Sequence, residues 1–339
     1  MSSDTPASEY RIRATAEDVR RMMSRLLLTE GSDTRRKMSA FWVLLVLATV
    51  IATSGVVADS TATVIGAMIV APLMTPILGT ALSVVLANRR LVAVNFGLVI
   101  VGALCVIAIA YLIGMTSQMH LVADSNSQIA GRVSPRLIDL VGALATGAVG
   151  AFATVRSDVS DTLPGVAIAI SLVPPLAVVG LTLESGEPSQ ALGALLLFGT
   201  NVSAIIATGT VVFLSYRVRQ AAIDAGLPIG RLHRGALVTA FASVVILAIP
   251  LSLGSSVVLQ QEVLVSKATP VARAWAKAHG GQISDVTYRD NSLRILAIGL
   301  LTLDQVTGLR PDLDAAGLGD VDVLVTLVAG GTKELPGKP

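Results

Sequence analysis

The sequence predicts an all-α polytopic membrane protein of about seven transmembrane helices, followed by a small C-terminal α+β unit. Three observations indicate this class: the apolar composition, a series of long apolar runs, and a change of composition after the last run. Hydrophobic residues make up 53% of the 339 residues, charged residues make up only 14%, and mean hydropathy is +0.74. Soluble domains carry about 25% charged residues. Long apolar runs also recur across residues 38–259, and the composition becomes that of a soluble domain after them.

Residues 1–37 form a basic segment that we predict to be cytoplasmic and to hold one amphipathic helix. Its apolar residues recur at helical spacing, and Thr15 with Asp18 forms a capping-box pattern. The apolar set is Val19, Met22, Met23, Leu26 and Leu27. Two interpretations stay open: the helix lies on the anionic inner leaflet, or it packs on the bundle or on a partner subunit.

Seven apolar stretches have the length of a bilayer crossing, which takes about 20 residues. The predicted spans are 38–57, 61–86, 91–115, 137–155, 162–183, 191–216 and 235–259. They group into membrane repeat 1 (38–115), an outer loop (116–136), membrane repeat 2 (137–216), and an inner loop with a seventh helix (217–259).

The placement of basic residues predicts the orientation. Arginines and lysines concentrate in residues 1–37, at Arg89 and Arg90, and in residues 217–234. All three groups fall on one side if every span crosses, and the side rich in basic residues is cytoplasmic. The C-terminal unit then lies outside a prokaryotic inner membrane.

The C-terminal unit, 260–331, has an α-β-β-α-β pattern. The predicted elements are a helix at 268–279, strands at 283–289 and 292–298, helical residues within 303–318 interrupted by Pro311, and a strand at 321–328. Residues 332–339 are predicted to be disordered.

The chain contains an internal repeat with an offset of 99 residues. The offset aligns Asp59 with Asp158, Gly66 with Gly165 and Pro76 with Pro175, and a seven-residue insertion also aligns Asn95 with Asn201. The repeat unit is three spans, so the second copy enters the membrane from the opposite side. Inverted repeats of this kind recur in secondary transporters.

Prolines near the middle of spans two and five predict broken helices. Proline lacks a backbone donor, and a carbonyl left unbonded in hydrocarbon needs another partner. The predicted substrate-binding residues are Gly66, Pro72, Thr75, Pro76, Asn95, Gly165, Ser171, Pro174, Pro175 and Asn201. The alternative is that the prolines are structural kinks and the asparagines hold helices together. Asp59 and Asp158 are either caps of the helices they precede or parts of two gates.

The same stretch resembles a known family. The run Ser54-Gly-Val-Val-Ala-Asp-Ser60, followed by Ile65-Gly-Ala-Met-Ile-Val-Ala-Pro-Leu-Met-Thr-Pro-Ile77, is similar to the hallmark of domain of unknown function 389, the "uncharacterised hydrophobic domain". This resemblance implies a prokaryotic multi-span protein over about residues 34–216. It implies no substrate, reaction or catalytic residue.

The favoured function is a transporter or channel for a small solute or ion at the repeat interface. The alternative is a membrane sensor or assembly scaffold whose outer unit binds a ligand or partner. We find no catalytic, metal or cofactor motif, and the net charge of +2 gives no indication of nucleic-acid binding. The expected partners are the lipid bilayer and the solute. The small residues of span four suit either a contact within the bundle or a homo-oligomer.

Overall fold

The computed structural model describes residues 14–117, 121–123, 125–156, 172–227, 229–230, 263–289, 292–299 and 301–328. The chain divides into two compact units, Met1–Ser252 and Leu253–Pro339.

Ten helices are described in the first unit. They are α1 (Ala16–Leu26), α2 (Thr34–Val57), α3 (Thr61–Val70), α4 (Met74–Val85), α5 (Arg89–Gly114), α6 (Ser127–Val133), α7 (Leu137–Val155), α8 (Val173–Glu184), α9 (Pro188–Ser215) and α10 (Val218–Asp224). α6 and α10 were not predicted from the sequence.

Four described helices, α2, α5, α7 and α9, are long and apolar enough to cross a membrane, and the pair α3 and α4 makes a fifth candidate. The coarse prediction of a helical membrane protein is therefore supported. The predicted seventh span, residues 235–259, and the first part of the fifth lie outside the described residues.

Contacts along α9 define two ends of the helical bundle. Near the start of α9, the Gln190 side chain accepts a hydrogen bond from Ala123 N, and α6 packs beside it. Beyond its C-terminus, Arg219 donates to Val85 O at the end of α4, at 3.1 Å. We call the end that holds Arg219 and the start of α5 the basic end, and the end that holds α6 the opposite end.

Between these ends, α2 and α4 of the first half (α2–α5) run in the opposite direction to α7 and α8 of the second half (α7–α9). α4 finishes at the basic end, whereas Ser185, just after α8, accepts a hydrogen bond from Leu121 at the opposite end. α2 likewise finishes at the opposite end, where Asn126 donates to Val56 O, and α7 finishes at the basic end, where Arg21 donates to Val155 O.

Helix bounds also recur at a fixed offset. α4 and α8 both have 12 residues, and their first residues, 74 and 173, are 99 positions apart. α5 and α9 start at 89 and 188, again 99 apart. These starts coincide without the seven-residue insertion that we used to align Asn95 with Asn201, so the two asparagines do not occupy equivalent helix positions.

The apolar face of α1 packs on the bundle, which decides between the two interpretations of this helix. Val19 and Met22 are fully buried, and α1 contacts α4, α7 and α10. The predicted capping box is present, because Thr15 N donates to Asp18 and Asp18 N donates to Thr15. Burial alone would raise the pKa of Asp18, but hydrogen bonds from Thr15 and the neighbouring Arg21 hold it below the usual 3.8.

The small residues of α7 form a contact within the bundle. A Cβ added at Gly147 would meet the side chain of Thr208 and the backbone of Ile205, both on α9. α7 and α9 can therefore approach closely.

The second unit has the predicted α-β-β-α-β order. Its elements are α11 (263–278), β1 (Gly281–Arg289), β2 (Ser292–Gly299), α12 (Leu303–Val306), α13 (Leu309–Ala315) and β3 (Asp322–Val328). β2 is central, antiparallel to β1 and parallel to β3. Trp275, Leu293, Ile295 and Leu313 share one buried core, and Trp275 Nε1 donates to Gln305 O.

This core predicts that the second unit folds on its own. A fragment covering residues 260–339 is expected to melt cooperatively, and Trp275→Ala should cost about 3–5 kcal/mol of its stability, as for a large core aromatic residue. Circular dichroism during heating measures both. A gradual, featureless melt of the unsubstituted fragment would contradict the prediction.

Candidate functional site

The chain breaks between α3 and α4, within the motif picked out from the sequence. Residues 71–73 separate the two helices, whose axes differ by 48°. Pro72 lies in the break, and Pro76 is the third residue of α4. Proline is well tolerated in a first helical turn, where no intrahelical donor is needed. The sequence therefore predicted the location, but Pro72, rather than Pro76, occupies the break itself.

Several backbone groups at the break have no hydrogen-bond partner among the described residues. Ala71 N bonds Ala67 O, and Thr75 N bonds Pro72 O. Pro72 cannot donate to Met68 O. Among the described residues, none accepts a hydrogen bond from the amides of Leu73 or Met74. Unpaired amides at a helix start attract negative charge, and unpaired carbonyls attract donors or cations.

The start of α8 carries the second pair of prolines. Pro174 and Pro175 are the second and third residues of this helix, and both are buried. Pro175 therefore has the same helix position as Pro76. Gly165 and Ser171, which we predicted beside this break, lie outside the described residues, as does Asp158.

Both half-length helices lie at the centre of the bundle. Every residue of α4 except Thr75 is buried, and so are the first ten residues of α8. A helix that is apolar on all sides belongs in a core. α4 and α8 share α5 and α9 as neighbours, and in the described part of the chain they form no extensive contact with each other.

The crossings with α5 and α9 are matched. α8 crosses α5 at Gly180, where an added Cβ would lie 2.7 Å from the Cβ of Ala110. α4 crosses α9 at Gly209, where an added Cβ would lie 3.2 Å from the Cβ of Ala81. Ala81 and Gly180 are 99 positions apart, and so are Ala110 and Gly209. These four residues were not among the predicted site residues, although small residues in apolar helices are a signal for close crossings.

The two asparagines are buried on the long helices. Asn95 on α5 is fully buried and donates from Nδ2 to Leu91 O at 2.8 Å and to Ser83 Oγ at 3.3 Å. The second bond joins α5 to α4, as expected for a polar contact between helices. Its Oδ1 faces Gly79 and has no hydrogen-bond partner in the described part of the chain. Asn201, on α9, is 3% exposed. Thr75 is half-buried at the start of α4, and Gly66 lies on α3 with space around it.

Asp59 contacts a different helix from the one that it precedes. The N-cap of α3 is Ser60, whose side chain accepts from Thr63 N. Asp59 Oδ1 instead accepts from Ser127 Oγ at 2.7 Å and from Gln128 N at 3.1 Å, both in the first turn of α6. The bond from Ser127 contributes most to lowering the pKa of Asp59. No local pattern predicts this contact, because Ser127 lies 68 residues further along the chain.

The comparisons with known proteins agree with the resemblance drawn from the motif. Residues 68–207 match the family model described as "Domain of unknown function (DUF389)". This DUF389 region begins on α3 and ends on α9, so it contains the first break, α4 and α8. An "uncharacterized protein" of the archaeon Methanocaldococcus jannaschii is 32% identical over 202 residues, which are 60% of this chain and 62% of that relative. The chain thus matches less than two thirds of the relative's length. No solved structure matches the chain.

Proposed function

We propose that residues 34–216 form two inverted repeats of three transmembrane helices, and that a small solute or ion passes at their interface. One observation carries the proposal. Two buried half-length helices, α4 and α8, start 99 residues apart with a proline at the same position, run in opposite directions, and pack on the same two long helices. Discontinuous helices in inverted copies are the arrangement on which many transporter sites are built.

In this proposal, α3 and α4 together form one broken crossing. α3 starts beside α6 at the opposite end, where Asp59 contacts Ser127, and α4 finishes at the basic end beside Arg219. At about 1.5 Å per residue the two helices are roughly 15 and 18 Å long, which together match a hydrocarbon layer of about 30 Å. A re-entrant hairpin would return to the end from which it started.

The chemistry of the proposed pathway comes from neutral groups. In the described spanning helices, every charged side chain lies in a first or last turn. The α3–α4 break supplies part of this chemistry, because no described residue bonds the amides of Leu73 and Met74, and the hydroxyl of Thr75 follows them in the chain. A pathway of this kind suits a small solute or an ion that exchanges its hydration shell for backbone dipoles.

Hydration at the break distinguishes this function from the alternative, a sensor or assembly scaffold whose separately folded C-terminal unit binds a ligand. In a Cys105→Ala background, a cysteine at Thr75 is expected to react quickly with a small water-soluble thiol reagent in reconstituted membranes. The matched control is Thr80→Cys, five residues further along α4 and 3% exposed. Equal protection at both positions would mean a dry interface and would favour the scaffold. Efflux of small ions and neutral solutes from liposomes then tests passage directly.

We also propose that the basic end faces the cytoplasm and that the C-terminal unit lies outside. Cysteines introduced at positions 120 and 290 should be labelled by an impermeant maleimide in intact cells, and one at position 234 should not. Charged reagents do not cross the membrane, so the pattern reports topology. Labelling at 234 without labelling at 290 would reverse the orientation.

A further inference from the structure

We infer that α1 and α6 are two clamps that close the pathway at its two ends, and that this structure has both of them shut. The inference rests on the proposed function, because it takes the interface between the first half (α2–α5) and the second half (α7–α9) as the pathway. Each clamp is a short helix that precedes one half and joins it to the other half at one end.

The first clamp is α1, at the basic end. Arg21 Nη2 donates to the carbonyl of Val155, the last residue of α7, at 2.9 Å. Ala14 N, just before α1, donates to the carbonyl of Tyr216, the residue after α9, at 2.9 Å. The last carbonyls of a helix have no intrahelical donor and carry partial negative charge, so an arginine and an amide are suitable partners.

The same helix is also held by the first half. The carbonyl of Leu26, the last residue of α1, lies against Gly79 of α4, where an added Cβ would be 2.7 Å away. Met22 is fully buried between these contacts. α1 therefore spans the boundary between α4 of the first half and α7 and α9 of the second.

The second clamp is α6, at the opposite end. Asn126 Nδ2 donates to Val56 O at the end of α2, at 2.6 Å, and the first turn of α6 donates twice to Asp59. The other side of α6 packs on α8 and α9, with the carbonyl of Val133 against Gly193. Ile129, in the middle of α6, is fully buried. α6 therefore joins the first half to the second, as α1 does at the basic end.

Both helices are suited to opening locally. They have 11 and 7 residues, and isolated helices of this length are not stable in water. Their order therefore depends on docking. α1 docks through its buried apolar residues and the bonds of Ala14 and Arg21, and α6 docks through Ile129, its bonds at the end of α2 and the contact at Gly193. A short helix that is stable only when docked can open without unfolding the rest of the bundle.

The test uses two glycines, Gly79 of α4 and Gly66 of α3. In a Cys105→Ala background, Met22→Cys reports on α1 and Ile129→Cys reports on α6, each by its rate of reaction with a maleimide in reconstituted membranes. Gly79→Ala places a methyl group within 3 Å of Leu26 O and Asn95 Oδ1, so α1 must shift. Gly66→Ala is the matched control, because no described residue lies within 4 Å of its added Cβ.

We expect Gly79→Ala to raise labelling at Met22→Cys by about tenfold or more, with Gly66→Ala unchanged and Ile129→Cys still protected. Protection at Ile129 also shows that the bundle remains folded. If both reporters react, Arg21→Gln is tested next, because it removes the bond to Val155 without adding bulk. Labelling at Met22→Cys alone then supports the clamp. Unchanged labelling at both positions overturns it.

The outcomes separate the clamp from the proposed function. If Met22→Cys stays protected in Gly79→Ala and in Arg21→Gln, α1 is a fixed part of the bundle and the inference is wrong, whatever the protein transports. If α1 opens but liposomes remain impermeable and Thr75→Cys stays unreactive, the clamp stands as an opening helix and the proposed pathway fails.

Discussion

Replacing Pro72 and Pro76 together by alanine is expected to straighten the α3–α4 break and to abolish the solute passage that we propose. Alanine at position 72 supplies a donor for Met68 O, and alanine at position 76 supplies one for the carbonyl of residue 72. A proline inside a helix costs about 3 kcal/mol, so removing two of them strongly favours a continuous helix. The amides and carbonyls that the break leaves unpaired would then bond to each other and no longer reach a solute.

The change of shape can be measured separately from the change in passage. Spin labels at Ala62 and Ala87, on either side of the pair, should move apart by roughly 3 Å when two arms of about 15 and 18 Å lose the 48° bend. The control is Pro188→Ala, which replaces the exposed proline at the first position of α9 and should alter neither distance nor flux. A double variant that straightens but still passes solute would show that the break has no part in transport.

Local chemistry accounts for much of what the sequence predicted. The break at residues 71–73 follows from Pro72, because a missing donor has its effect within one helical turn. The order of elements in the C-terminal unit follows from alternating apolar residues, as at Leu293, Ile295 and Ala297, whose side chains all enter the core. These signals lie within a few residues of the structure that they specify.

The parts that the sequence did not predict depend on distant contacts. The capping box of α1 is local and was predicted. The docking of α1 on α4, α7 and α10 instead involves distant residues, since α10 begins only at Val218. Asp59 has the local pattern of an N-cap, and its carboxylate instead bonds α6. The sequence alignment paired Asn95 with Asn201 because the residues are identical, and this pairing needed a seven-residue insertion. The helices α5 and α9 start at residues 89 and 188, which are 99 apart, so no insertion precedes α9.

Among substitutions that add one methyl group to α4 or α8, Gly180→Ala is expected to lower the stability of the protein most. The new Cβ would lie 2.5 Å from Ile107 O, 2.7 Å from Ala110 Cβ and 2.8 Å from Tyr111 N, all on α5. Two of these atoms are backbone and cannot rotate away, so α8 and α5 must separate. Overpacking of a core typically costs about 1–3 kcal/mol, and we expect the upper part of that range. Thermal unfolding in detergent measures the loss.

A matched series tests whether the two crossings are equivalent. Gly97→Ala, on α5, adds a Cβ that has no described atom within 4 Å. It should leave stability unchanged or raise it slightly, since alanine favours a helix over glycine. Gly209→Ala should fall between the two, because the nearest atoms to its added Cβ, at 3.2 Å, belong to the side chains of Ala81 and Leu78. Ala110→Gly should recover part of the stability lost in Gly180→Ala, because it removes one of the three close contacts. If Gly180→Ala is as stable as Gly97→Ala, α8 does not cross α5 at this distance, and the matched crossings on which the inverted repeat depends are absent.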